Sequence, residues 1–445
     1  MLSYYFRLAF RNLRRNPGLT ALMIGAVALG IAVCVMTLTM YRAMSGNPIW
    51  WKNDVLYAVT LDTWDPNQDY NDERTELPPW QLTYRDAMAL MESDIPKRKL
   101  VMHKAIGVLS LDGQSVKPER VLTRMTSGDF FEMFDVPFQY GGSWSSQADR
   151  GPEPVLVISR AMNEKFFGGA NSVGRLIRWE DREFRIVGVR DHWQPLPTFY
   201  DVNNGPLNEA EEVYIPFGWS VALELPSAGN TQGWKPEEIV TYQDFINSES
   251  IWIQMWVELP DAAARQRFQA FIDSYAMEQK KAGRFERSLN NRLTPVDQWL
   301  IDNEVVSNDD RVLVGLAFAF LAVCLLNTVG LLLAKFLNNA AITGVRRALG
   351  ASRRQVFMQH LVEVGVISSI GAVLGLALGA LMLKGLRTLY TLDPTDTAGT
   401  QALAHVDITS IVAALGLALF ATVAAGLYPA WRIGRIPPAI YLKSQ

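Results

Sequence analysis

The chain has 445 residues, 49% of them apolar and 20% charged, with a formal net charge of −3. A near-neutral balance gives no reason to expect a nucleic-acid partner. The two cysteines, Cys34 and Cys324, both fall in long apolar runs, so the polar part of the chain has no disulfides and must fold on an ordinary apolar core.

Residues 1–18 carry Arg7, Arg11, Arg14 and Arg15 and no acidic residue, which reads as an amphipathic helix on the inner side of a membrane. The first of four apolar stretches follows at Leu19–Tyr41; the others are Val312–Ala334, Leu361–Leu383 and Ile408–Ala430. Each holds 23 residues. At ~1.5 Å per helical residue that is roughly 34 Å, enough to cross a hydrocarbon core ~30 Å thick. The first span, taken as 19–43, is too long for the apolar part of a cleaved leader. No small-x-small cleavage site precedes the polar sequence, so it is expected to stay as an anchor.

A polar segment, Met44–Asp310, separates the first span from the second. Asp54–Asp62 places Val55, Tyr57, Val59 and Leu61 in alternation and predicts a half-buried strand. Leu82–Ile95 has Ala87, Leu90 and Met91 at helical spacing. In the far part, Ile251–Leu259 predicts another strand, and Asp261 caps a helix to about Lys281 with Phe268, Phe271, Ile272 and Tyr275 on one side. Strand and helix at both ends suggest an α/β layer, about 50–125 with 240–305, flanking a β-rich insertion at about 126–220. Within the insertion, Pro154–Ser159, Gly174–Trp179 and Phe184–Val189 read as short strands. Residues 191–240, rich in Pro, Gly, Asn and Trp, read as long loops.

The second span (311–335) is expected to continue from Asp297–Asp310 and to lead into a basic inner segment, 336–360. The third span (361–387), a short loop (388–407), the fourth span (408–430) and a tail (431–445) complete the chain. The fold class expected is a membrane α-helical protein of four transmembrane helices, with a large α/β extracytoplasmic domain inserted between helices 1 and 2.

Orientation follows from the loop charges. Segments 1–18, 335–360 and 431–445 together hold 12 Lys and Arg and no Asp or Glu. Loop 388–407 has no basic residue and carries Asp393, Asp396 and Asp407, while Met44–Asp310 has 26 basic and 41 acidic residues. Positive residues stay inside, so both termini are expected in the cytoplasm, with the large domain outside the inner (plasma) membrane. Anionic inner-leaflet lipid, or an acidic protein surface, would account for the basic segments.

No catalytic constellation stands out. His103, His192, His360 and His405 form no zinc motif, and neither G-x-S-x-G, S-x-x-K nor G-x-x-x-x-G-K-[ST] occurs. No metal site and no hydrolase activity in this chain are expected. Gly371, Gly375 and Gly379 form a small-residue stripe on the third span, suited first to packing within the chain and second to a dimer seam. Glu363 lies one turn into that span, within reach of Arg353 or Arg354. The spans are otherwise poor in polar residues, which disfavours an aqueous pathway. The tryptophans of the polar segment read chiefly as core, with Trp50 and Trp51 at the bilayer surface.

Three stretches resemble one known family. They are Leu8–Pro17 (LAFRNLRRNP), Gly344–Gln355 (GVRRALGASRRQ) and Gly426–Arg432 (GLYPAWR), with Pro429, Trp431 and Arg432 closing the fourth span. Gly128–Phe131, Val155–Gly168, Val173–Gly174 and Ile186–Val189 add a likeness in the polar domain. Together they look like the ABC-transporter permeases that include MacB, FtsX and the lipoprotein-releasing permeases.

The resemblance implies that the helix after the second span docks on an ATPase subunit. Gly344, Val345, Arg346, Arg347, Leu349, Gly350, Arg353, Arg354 and Phe357 would carry the contact, and Val356 would help fill a groove. Relatives usually carry a Glu two residues before Gly344; here that residue is Ile342. That departure suggests a second, non-identical permease which keeps the acidic contact. With only 18 residues before the first span, the ATPase, with its ATP and Mg, is expected in trans. The family also implies a permease dimer, a periplasmic adaptor (membrane fusion protein), and transmission of inner motion to the outer domain. Efflux is the leading reading. FtsX-like activation of a cell-wall enzyme and lipoprotein sorting are the alternatives.

Overall fold

The computed structural model describes residues 2–111, 116–151, 153–338, 344–347 and 349–390, together with Gly416 and Leu427. Apart from those last two, the expected fourth span (408–430) and the tail with Pro429, Trp431 and Arg432 lie outside the described residues. The chain forms two compact units, one made of the segments up to Ser45 and from Val306 on, the other of Gly46–Val305.

Among the described residues, three helices of the first unit are long and apolar enough to cross a membrane. Helix α1 (Leu2–Arg15) precedes them. It buries Ala9 and Leu13 and exposes Arg7, Arg11, Arg14 and Arg15, the pattern of an amphipathic surface helix. It stops there because Asn16 precedes a proline, which disfavours helical backbone. Pro17 then starts α2 (Pro17–Ser45) at a position where a missing N–H costs nothing.

Helix α3 (Asn308–Asn338) begins with a reciprocal cap: Ser307 Oγ accepts from the Asp310 amide (3.2 Å), and Asp310 Oδ2 accepts from the Ser307 amide (2.9 Å). The expected continuity with Asp297–Asp310 is not found. A separate helix, Val296–Asp302, ends first, and Glu304 takes φ +50°. Helix α4 runs unbroken from Arg353 to Tyr390.

Helix α2 packs against both α3 and α4. A Cβ on Gly30 would lie 2.9 Å from Leu321 Cδ1 on α3. On α4, a Cβ on Gly371 or Gly375 would come within 2.8 Å of Val27 Cγ1 or the Ala28 carbonyl oxygen, with Gly379 further along the same contact. The glycine stripe thus lies against α2 of its own chain. Small residues there let two backbones approach closely, which is what holds helices together where water provides no drive.

Among the described residues, the second unit is built on ten strands: β1 (Leu56–Thr60), β2 (Arg98–Ser110), β3 (Glu119–Thr126), β4 (Phe138–Gly141), β5 (Val155–Ser159), β6 (Leu176–Trp179), β7 (Arg182–Arg190), β8 (Val213–Pro216), β9 (Gln254–Glu258) and β10 (Arg292–Pro295). They form one continuous sheet in the order β10-β1-β9-β2-β3-β8-β5-β7-β4. Strand β6 pairs with both β2 and β7, so β2, β3, β8, β5, β7 and β6 close into a ring. The β3–β8 and β5–β7 pairs are parallel and the rest antiparallel. Strand β1 sits between β10 and β9, which joins the two ends of the segment.

Two expectations need correcting. All five β1 residues are buried where alternation suggested one wet face; helix Val296–Asp302 packs on this strand. And β8 lies inside the stretch read as loops. Its four residues, buried and paired with β3, were hidden by the turn-forming sequence around them.

The core of the ring shows why one glycine is there. The Trp179 indole lies flat against Gly107, where any Cβ would come within 2.3 Å of the ring, and its Nε1 donates to Thr123 Oγ1 at 3.0 Å. The expected Asp261 cap is present: its Oδ1 accepts from the Ala264 amide at 2.7 Å to start Ala262–Lys281. Thr83, not singled out in the sequence, caps Tyr84–Met91 in the same way.

Candidate functional site

The sequence Gly344–Gln355 folds as a tight turn between helices. Residues 344–347 are helical; the Gly350 amide then donates to the Arg347 carbonyl and the Ala351 amide to the Arg346 carbonyl, both at 3.1 Å. This is the glycine-terminated helix end, and it needs the φ of +103° that Gly350 adopts. Ser352 and Gln355 form the next start: Ser352 Oγ accepts from the Gln355 amide (3.2 Å) and Gln355 Oε1 from the Ser352 amide (2.9 Å). The expected helix over 336–360 is therefore interrupted, and its last part is the beginning of α4. Residues 339–343, Ile342 among them, and Ala348 lie outside the described residues.

The turn divides the expected contact residues into two groups. Leu349 is 83% exposed and Val345 47%, with Arg353 and Arg354 exposed beside them. An apolar tip flanked by cations is what a protein groove with an acidic rim would receive. Gly344 is buried, and Arg347 and Phe357 are half-buried. Val356, expected to help fill a partner's groove, instead packs with Ala9, Leu13 and Phe336 inside the unit. Arg346 turns inward and donates from Nη1 to Gln359 Oε1 (2.7 Å) and from Nη2 to Tyr4 OH (2.8 Å). It stands in a cleft of about 310 Å³ lined also by Tyr5, Gln355 and Val356. Arg11, Arg14 and Arg15 project from α1.

Beneath the turn lies a buried polar cluster that sequence reasoning missed. Glu363 pairs with Lys335 of α3 at 2.7 Å, and its Oε2 accepts from Asn12 Nδ2 of α1 at 3.2 Å. His360 Nδ1 lies 3.9 Å from the same carboxylate, and its ring meets Phe336 at 4.1 Å. Lys335, Glu363 and His360 are all at most 4% exposed. The expected pairing of Glu363 with Arg353 or Arg354 does not occur, because the carboxylate points into the bundle while those arginines face out. Nothing in the sequence links Asn12 to Glu363, 351 positions apart.

The outer domain holds one arrangement that resembles catalytic chemistry. His103 Nδ1 faces the Lys104 carbonyl (2.9 Å), which can only accept, so Nδ1 carries the proton. Its Nε2 then accepts from Ser220 Oγ at 2.7 Å. A serine bonded to a histidine would suit nucleophilic attack, but Ser220 is fully buried and the imidazole is packed edge-on between Phe217 and Trp252. No substrate reaches it, and the pair is part of the core.

Burial pushes the His103 imidazole down to about 3. The unfolded chain, with its histidine near 6.5, binds the proton first, so stability is intact above pH 6.5 and falls as pH drops from there toward 3. By pH 5 the expected loss is about 2 kcal/mol. Unfolding midpoints of the full chain in detergent, followed by tryptophan fluorescence between pH 8 and 5, should show this slope. His103→Gln should flatten it; an unchanged slope in the variant would assign the effect elsewhere.

A second buried network joins Arg124 to Asp201 and Glu211. Among the described residues no group of His, Cys, Asp and Glu could hold a metal ion. Trp179, Trp252 and Trp256 are core, whereas Trp50 and Trp51 are 72% and 55% exposed just beyond α2.

A folded α/β domain carried between the first two of the long apolar helices is the architecture of a membrane protein with a large inserted domain. Residues 20–275 match the MacB-like periplasmic core domain, and residues 314–438 match the FtsX-like permease C-terminal domain. The chain belongs to this MacB/FtsX-type family of ABC transporter permeases. It is 23% identical over 317 residues to the pyoverdine export ATP-binding/permease protein PvdT of Pseudomonas aeruginosa, covering 71% of this chain and 41% of that one. It is 20% identical over 440 residues to the macrolide export ATP-binding/permease protein MacB of Azoarcus sp., covering 99% and 59%. The chain thus spans about half the length of these relatives. The periplasmic region of MacB from Actinobacillus actinomycetemcomitans aligns with 58% of this chain at 12% identity and a TM-score of 0.35. The family assignment rests on the sequence matches and not on that likeness.

Proposed function

We propose that this chain is the permease part of a mechanotransmission ABC transporter that exports a substrate from the periplasm. ATP, with Mg²⁺, is bound and hydrolysed by an ATPase that lies outside these 445 residues, which contain no Walker loop. Two permeases work as a pair, with both termini and the Gly344–Gln355 turn in the cytoplasm and Gly46–Val305 in the periplasm, where an adaptor protein would meet it. The charge asymmetry of the loops supports this orientation. In this reading the spans carry motion rather than cargo: closure of the ATPase pair shifts the inner turn, and the helices pass that shift to the periplasmic domain.

The observation that carries the proposal is the tip of the turn, where Leu349 is 83% exposed between Val345 and the Arg353–Arg354 pair. Burying a leucine of that exposure against a partner is worth about 1.5–3 kcal/mol. Affinity purification of the tagged chain from native membranes in mild detergent is expected to bring down a Walker-type ATPase. The Leu349→Asp/Arg353→Glu/Arg354→Glu variant should retain less than a tenth as much. If wild type brings down no ATPase under conditions that preserve other complexes, the reading fails. A second, non-identical permease in the same sample would provide the acidic contact that Ile342 leaves unfilled.

A further inference from the structure

The cleft around Arg346 has a chemistry that ATPase docking does not use. We propose that it is a binding site for the phosphate of an anionic phospholipid head group, a reading that rests on the membrane placement given above. Three observations meet there.

The first is donor balance. Tyr4 OH accepts from Arg346 and keeps its own hydrogen to donate. Gln359 Oε1 accepts from Arg346, and Gln355 Oε1 from the Ser352 amide, so each of these two lining side chains still has an NH₂ group to donate. Arg346 itself has five N–H donors, more than its contacts to Tyr4 and Gln359 use. The acceptor atoms are occupied within the protein, and what the cleft offers is donors. A set of donors that includes a guanidinium favours an anion, with charge-assisted hydrogen bonds about twice as strong as neutral ones.

The second is charge. No Asp or Glu occurs in 1–18 or 335–360, while Arg347, Arg353 and Arg354 stand near the cleft in sequence. The nearby carboxylate, Glu363, is turned inward onto Lys335.

The third is depth. Gln359 and Gln355 lie two and six residues before Leu361, where the apolar stretch begins. At ~1.5 Å per residue, Gln359 sits about 3 Å outside the hydrocarbon, within a head-group layer roughly 5–8 Å deep, and Gln355, at about 9 Å, lies at its outer edge. Tyrosine favours that layer. On α1 the exposed Phe6 and Phe10, alternating with Arg7 and Arg11, are suited to lie in it. A volume of about 310 Å³ admits a phosphate with its glycerol ester, and Arg346 is recessed there while Leu349 and Arg353 project.

The test is native mass spectrometry of the full chain released in mild detergent from nanodiscs of equal phosphatidylglycerol and phosphatidylcholine. Wild type should keep one phosphatidylglycerol in preference to phosphatidylcholine. Arg346→Gln and Tyr4→Phe should each lower that occupancy at least fivefold with unfolding temperatures close to wild type. Arg11→Gln/Arg14→Gln, which removes charge outside the cleft, should leave it unchanged. Equal retention of the two lipids, or undiminished retention in Arg346→Gln, overturns the proposal. Equal occupancy by glycerol 1-phosphate offered at the same concentration as phosphatidylglycerol would overturn it too, by showing that the acyl chains add nothing and that a soluble phosphate is the ligand. If Arg346→Gln loses the ATPase but keeps the lipid, Arg346 belongs to the partner contact and the lipid site is wrong. The lipid readout does not depend on an ATPase being found, so the two readings fail separately.

Discussion

Replacing Arg124 with methionine is expected to destabilise the periplasmic domain by about 3–5 kcal/mol. Arg124 is fully buried on β3, and its Nη2 donates to Asp201 Oδ2 (2.5 Å) and to Glu211 Oε1. Lys104 adds a second cation 3.4 Å from Asp201, while Tyr200 OH donates to Glu211 Oε2 and Gln254 Nε2 to Asp201 Oδ1. The set is neutral as a whole: two cations and two carboxylates. Deleting the arginine alone leaves two buried carboxylates sharing one lysine, and the penalty is that of an uncompensated charge rather than of a lost contact. A paired deletion separates the two. Arg124→Met with Glu211→Gln should recover half or more of the loss, because the remaining charges again balance. The readout is thermal unfolding of the full chain in detergent. A single variant that loses less than 1 kcal/mol would mean that water reaches the site and screens it.

The Lys335–Glu363 pair should behave in the same way within the helical unit. Lys335→Met leaves Glu363, 1% exposed, with the Asn12 amide and a distant imidazole, and is expected to cost about 3–5 kcal/mol. Lys335→Met/Glu363→Gln should regain most of it, since a glutamine keeps the Asn12 contact without a charge. The loss should be local as well as global. Asn12 ties α1 to this carboxylate, so proteolysis within α1 should speed up in the single variant and return to the wild-type rate in the double. A single variant with wild-type melting and wild-type cleavage would show that the pair adds nothing to the bundle.

Much of this architecture could be read from residue order, and the parts that could not share a cause. The helix Ala262–Lys281 was legible because Asp261 caps it and its apolar residues keep one spacing. Strands β5, β6 and β7 were legible as short apolar runs between glycine and charged turns. Strand β2 was not. His103 and Lys104 interrupt its apolar pattern, and both are buried only because Ser220 and Asp201 arrive from more than 90 positions away. Strand β8 was hidden by its length and its neighbours. In the turn, the residue types pointed to a contact surface, yet they could not show that Arg346 faces inward: its partner Tyr4 is 342 positions distant. Local chemistry writes caps, turns and periodicity into the chain. Pairings of buried charges depend on elements that meet only after folding.

Helix α4 holds a further consequence. It runs from Arg353, beside the exposed tip, to Tyr390 with no proline to hinge it, and it rests on α2 near Gly375. That support lies about 33 Å from one end and about 22 Å from the other. Were the contacts of Val356 and Glu363 with α1 and α3 to yield, a stiff rod held there would act as a seesaw, its two arms swinging in opposite senses. A tilt of about 10° would carry the Arg353 end about 6 Å one way and the Tyr390 end about 4 Å the other, with the glycine contact barely shifting. Bulk added at Gly375 would therefore move the fulcrum itself, and alter the ratio of the two strokes before it altered the strength of the packing.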